Sequence, residues 1–199
     1  MATATVGVVS EPVRQYRYES PAGSCEILLV RHGESAPFDA GAPFELVDGH
    51  GDPPLHPAGH VQAELIRDRL APLGRRIAAI YVTTLRRTHQ TAAPLAAELD
   101  MTPRVEPDLR EVFLGDWEAG HFRQKVAAAD PVAVEMFARE RWDVIPNGEP
   151  TERFQSRVRA GVERIAAAHP DELVVAVVHG GVIGQVLNLA TGSTGFAFT

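Results

Sequence analysis

The chain has one cysteine, Cys25, in 199 residues, so no disulfide closes within it and no cysteine-based zinc site assembles. A reducing, cytoplasmic setting is the expectation. Long apolar runs are also missing. Val6-Gly7-Val8-Val9 is too short for a signal sequence or a membrane span, and no basic residue precedes Arg14. Positive charge is scarce, with 19 Lys and Arg against 26 Asp and Glu and a net charge of −7. A general nucleic-acid binder needs a basic face to displace counterions, which argues against that class. Any anionic ligand must therefore meet a local cluster of positive groups. There is no internal repeat and no low-complexity tract.

What is present is ordinary globular usage, 45% hydrophobic and 23% charged, enough to bury a full core. Residues 1–24 show no sustained periodicity and contain Pro12, Pro21, Gly23 and Ser24, so a loosely held arm is expected there. Residues 25–199 read as a single domain. Ile27-Leu28-Leu29-Val30, Ile77 to Val82 and Leu173 to Val178 are short apolar runs of the kind found in buried parallel strands. Helical patterns separate them at 57–71, 86–99 and 151–169. The first opens on Pro57 and places Val61, Leu65, Ile66 and Leu70 on one stripe. This rhythm predicts an α/β fold, a three-layer α/β/α sandwich with a mainly parallel central sheet. Residues 116–150 are helical but irregular and predict an inserted flap.

Ligands of open α/β sheets bind beyond the carboxyl ends of the strands, and polar residues suited to an anion stand at those ends here. The first strand runs into Arg31-His32-Gly33-Glu34, the last into His179-Gly180-Gly181. The two histidines are expected side by side, with Gly33, Gly180 and Gly181 letting an oxygen-rich ligand approach the backbone. Arg86 and Arg87 fall at a helix start, where the dipole and guanidinium forks both favour phosphate. Glu111 lies in a loop past a short strand.

Arg31-His32-Gly33-Glu34, Leu85 to Ala92, Leu109-Arg110-Glu111 with Gly115 and Trp117-Glu118, and Val178-His179-Gly180-Gly181 occur in the order of motifs of the histidine phosphatase superfamily, which this sequence resembles over about 25–190. The resemblance implies His32 as a nucleophile that becomes phosphorylated. It implies that Arg31, Arg87 and His179 hold phosphoryl oxygens and that Glu111 is the proton donor. Gly33, Glu34 and Gly180 are expected to line the substrate, and neither cofactor nor metal is expected. The implied activity is hydrolysis of a small phosphate ester through phosphohistidine. A phosphoglycerate mutase-type phosphotransferase and a catalytically silent phosphate-binding module are the alternatives.

Several readings compete. Arg86 rivals Arg87, and Glu118 rivals Glu111. His50, His56 and His60 cluster, but three prolines interrupt them and no common zinc spacing is matched, so a loop and helix start is expected. His56 stands where the family usually has a capping hydroxyl, which predicts a less firm helix start. Phe38 stands in the register of a phosphate-holding Asn. The long 36–51 loop carries Asp39 and Glu45, and with Asp48 and Asp52 it is expected to disfavour highly anionic substrates. The family usually adds a last strand after the helix near 181–190, whereas this sequence stops at Thr199, so a truncated C-terminal end or a sheet one edge short is expected. Oligomeric state is left open, a homodimer being one option.

Overall fold

The computed structural model describes residues 15–16 and 18–196. Most of the expected N-terminal arm, and residues 197–199, lie outside the described residues. The elements run β1 (Glu26–Arg31), β2 (Leu46–Val47), β3 (His50–Gly51), α1 (Pro57–Leu70), β4 (Ile77–Val82), α2 (Arg86–Glu98), β5 (Arg104–Val105), α3 (His121–Ala127), α4 (Pro131–Arg139), α5 (Thr151–Ala168), β6 (Leu173–Val178) and α6 (Gly180–Thr191). β2 and β3 form a small antiparallel hairpin, and the main sheet is parallel in the order β1-β6-β4-β5.

β6 is central and buried at every position, which is why it reads as an unbroken apolar run. Alternate residues serve the two faces. Leu173, Val175 and Val177 pack with Ala92, Leu95 and Ala96 of α2. Val174, Ala176 and Val178 pack with Phe154, Val158 and Ile165 of α5 and Val182 of α6. Helices on both faces make the three-layer sandwich that the strand and helix rhythm predicts. Each fully buried Val in β6 contributes about 1.5–3 kcal/mol relative to exposure.

Two details differ from the sequence reading. In α1, Val61 and Leu65 are about 60% exposed, while Gly59 and Ala63 are buried. The helix packs closely on its neighbours through its smallest residues, so the buried stripe is displaced from the bulky one. The α1 start is also firm, because the His56 Nδ1 atom accepts the Ala58 N–H at 3.2 Å and does the work of a hydroxyl cap.

Between 116 and 150 the chain is helical and irregular, with the rings of Trp117, Phe122 and Trp142 in sequence at about 6 Å spacing. Past α6 the chain turns at Gly192 and lays Phe196 against Trp142, ring centroids 4.5 Å apart. Among the described residues no strand follows α6, and β1 forms one edge of the sheet.

Candidate active site

β1 and β6 pair in register, Arg31 opposite Val178, so the residues that follow them leave the sheet together. The His32 and His179 rings stand 5.2 Å apart at 63°. His32 Nδ1 lies 2.7 Å from the Gly33 carbonyl oxygen. A carbonyl only accepts, so Nδ1 carries the proton and Nε2 presents its lone pair. Burial, then the charge of Arg87, push the His32 pKa down to about 3, which keeps the ring neutral.

The Arg87 Nε–H donates to His32 Nε2 at 3.2 Å, and Nη1 donates to the Gly51 carbonyl at 3.1 Å. Arg86 points elsewhere. Its backbone N–H and its Nε donate to the two Asp52 oxygens at 2.8 Å, and Nη2 reaches Glu45 at 2.6 Å. The helix start read as a phosphate site is therefore occupied by the protein's own carboxylate, Asp52. The same contacts correct the reading of the acidic loop. Asp52 and Glu45 are neutralised by Arg86, Asp48 pairs with Arg110 at 3.2 Å, and Asp39 accepts the Gly41 N–H.

His179 is fully buried. Its Nε2 sits 2.9 Å from Thr83 Oγ1, and its Nδ1 has no partner among the described residues. The Thr88 hydroxyl donates to the Leu85 carbonyl at 2.8 Å and accepts the Thr83 N–H. Thr88 Oγ1, 3.3 Å from Thr83 Oγ1, thus has its proton and one lone pair in use, and assigning the Thr83 hydroxyl proton to the shorter contact, His179 Nε2, puts the imidazole proton on Nδ1. Burial and the nearby Arg87 charge hold the His179 pKa well below the ordinary value, so the ring is a neutral donor.

Glu111 and Glu118 both have backbone donors on each oxygen. Glu111 accepts from Val112 at 3.0 Å and Gly181 at 3.3 Å, and burial raises its pKa against the pull of Arg87. Glu118 accepts from Gly51 at 2.7 Å and Leu114 at 2.9 Å, also with its pKa raised by burial. Glu118 holds the N–H of Gly51, the residue whose carbonyl accepts from Arg87, while Glu111 accepts the Gly181 N–H just after His179.

Gly33 lines the cavity, and two of the glycines also have a packing role. A side chain at Gly33 would strike the Gly59 backbone, and one at Gly181 would strike the Glu111 carboxylate. Both small residues serve close protein packing. Glu34 is also placed differently, since its N–H donates to Gln62 at 2.7 Å and its carboxylate is exposed on the cavity rim, 3.8 Å from His56. An ionised carboxylate cannot donate to phosphate, although it can accept a substrate hydroxyl. Gly180 opens α6 beside Arg31, whose exposed guanidinium lines the same cavity of about 1060 Å³ as His32, Arg87 and Glu111. His50 is buried against Phe113, His56 caps α1 and His60 lies along it. Among the described residues no group of three or more potential ligands gathers for a metal.

Thr83 and Arg123 are site residues that sequence reasoning missed, and it gave Asp52 a different role. Thr83 adjoins a recognisable motif. Asp52 and Arg123 reach the site only through tertiary packing.

The chain matches the histidine phosphatase superfamily (branch 1) over residues 27–197. It is 34% identical over 171 residues to phosphoglycerate mutase-like protein 4 of Arabidopsis thaliana, covering 84% of this chain and 72% of that protein. The metal-independent phosphoserine phosphatase of the same plant is 34% identical over 164 residues, covering 81% and 66%. A mycobacterial glucosyl-3-phosphoglycerate phosphatase structure superposes with a TM-score of 0.67 at 28% identity, over 84% of this chain and 80% of that one. With a family match that spans most of the chain and relatives of this similarity, the protein belongs to the histidine phosphatase superfamily.

Proposed function

We propose that the protein is a metal-independent phosphomonoesterase that hydrolyses small phosphate esters through a phosphohistidine at His32. The observation that carries this reading is a neutral His32 whose Nδ1 is tied to a carbonyl and whose Nε2 lone pair lies beside Arg87 and His179. In the first step that lone pair attacks phosphorus and the bond to the ester oxygen breaks. Arg87 turns its donor from Nε2 to a phosphoryl oxygen, and Arg31 and the His179 Nδ1–H hold others, so that charge is met by preplaced donors.

Glu111, whose pKa burial raises, gives a proton to the departing alkoxide. A positioned acid of this kind adds about 10²- to 10⁴-fold. In the second step Glu111 takes a proton from water, whose oxygen bonds to phosphorus as the P–N bond breaks. Inorganic phosphate leaves and His32 is restored. The exposure of Arg31 on the cavity wall gives water a route, which favours hydrolysis over transfer to a second alcohol.

With metal chelated, the purified protein is expected to release phosphate from an aryl phosphate, and His32→Ala is expected to abolish release. Glu111→Gln should slow alkyl esters far more than aryl esters, whose leaving groups need no proton. Release that survives in His32→Ala would overturn the reading. Interconversion of phosphoglycerates after priming by a bisphosphate, without net release, would identify a mutase instead.

A further inference from the structure

Beyond the two histidines the cavity changes character. Its lining includes Phe38 and Phe44 from the long loop, Leu114 and Phe122 from the segment after Glu111, and the cation Arg123. Phe38 and Phe44 meet edge to face with centroids 6.0 Å apart. The Arg123 guanidinium lies over Phe44 at 5.2 Å and donates to the Ala36 carbonyl and Ser35 Oγ, each at 2.6 Å. This wall is held in place. The Phe44 N–H donates to the Ala119 carbonyl at 3.0 Å, and both rings seat against Gly120, where a side chain would strike them.

Three consequences follow from this arrangement. A volume of about 1060 Å³ is far more than a phosphoryl group fills and matches pockets that enclose whole small ligands, about 300–1,000 Å³. Two polar groups of the lining are already engaged, Ser35 by Arg123 and the Gln62 carbonyl by the Glu34 N–H, while the Glu34 carboxylate on the rim stays open to a substrate hydroxyl, so what sets this part of the cavity apart is its rings. Both hydrogen-bond acceptors of Arg123 are neutral and two of its five N–H groups are used, so three donors remain for a ligand, with the Glu34 carboxylate the nearby opposite charge.

We propose that this wall is a leaving-group subsite and that the substrate is the phosphate monoester of an apolar, ring-bearing alcohol, with Arg123 binding the phosphoryl charge at the neck of the subsite. The inference rests on the phosphomonoesterase reading of the same cavity. Phe38 supplies a ring face to the alcohol. Arg123 supplies a donor.

The test compares ethyl phosphate with 2-phenylethyl phosphate, both primary alkyl esters with similar leaving groups, and measures calorimetric binding of the matching phosphonates, which cannot be hydrolysed. Wild-type protein is expected to favour the phenylethyl compound about tenfold or more in kcat/KM and in phosphonate affinity, the scale of burying one ring. Phe38→Asn should bring both ratios toward one. Arg123→Gln should raise KM and weaken both phosphonates about tenfold while leaving the ratios intact, and Arg123→Lys should restore part of the loss.

Equal binding of the two phosphonates overturns the proposal even when both esters are hydrolysed. Unchanged binding in Arg123→Gln removes the role given to Arg123. A phenylethyl preference in binding with no hydrolysis of either ester upholds the subsite and instead overturns the phosphomonoesterase reading.

Discussion

At the residue scale the site depends on where two imidazole protons sit. The Gly33 carbonyl fixes that of His32, and the Thr83 hydroxyl fixes that of His179. Thr83 is a positioning residue, acting through His179. Thr83→Val removes the hydroxyl at nearly constant volume and is expected to lower kcat about tenfold or more with little change in KM, while Thr83→Ser retains most activity. Nitrogen-15 NMR should show the His179 proton on Nδ1 in wild type and shared between the ring nitrogens in Thr83→Val. An unchanged tautomer would reduce Thr83 to a packing role. The meeting of His32, His179 and Arg87 was legible because each stands at a strand end or helix start inside a motif, and Glu111 was marked by its motif alone, within a loop. Thr83 was not singled out, since a hydroxyl acquires its meaning only from the atom it meets.

At the element scale β1, β4 and β6 and the helices between them were readable because parallel strands covered by helices are continuous apolar runs at regular intervals, even at the half-buried edge strand β1. Packing partners were less readable. α1 buries Gly59 and Ala63 in place of Val61 and Leu65, because close helix approach selects small residues and the hydropathy pattern does not record it. The role of Asp52 at the start of α2 was equally hidden, 34 residues away in sequence. The loop and α3 are joined at Gly120, which has φ of +100° and receives the Phe38 and Phe44 rings. Gly120→Ala therefore combines backbone strain with overpacking and should cost about 2–4 kcal/mol by denaturant unfolding. A cost below about 0.5 kcal/mol would mean that the two segments are not joined as described.

At the scale of the whole molecule, buried neutral imidazoles tie stability to pH. His32 and His50 have folded pKa values of about 3 and about 4, and that of His179 is also depressed, against an ordinary value of 6.5. Unfolding lets each ring take a proton below pH 6.5, so their stability contribution is full above that pH and is lost as pH falls toward their folded values. The raised carboxyl groups Glu111 and Glu118 act oppositely, losing stability as pH rises above the ordinary carboxyl value of 4.5. Three rings against two carboxyls predict a net fall in Tm between pH 6.5 and pH 4. His50→Gln should flatten that fall, and a Tm that is level across this range would contradict the described burial.

The central claim is that His32 Nε2 carries the phosphoryl group between substrate and water. Rapid mixing with an aryl phosphate, a quench under alkaline denaturing conditions that preserve phosphohistidine, and peptide mapping by mass spectrometry test it directly. One phosphoryl group on His32, absent from His32→Ala and decaying at a rate compatible with turnover, is the predicted result. Turnover without a labelled histidine, or a label on another residue, would contradict it.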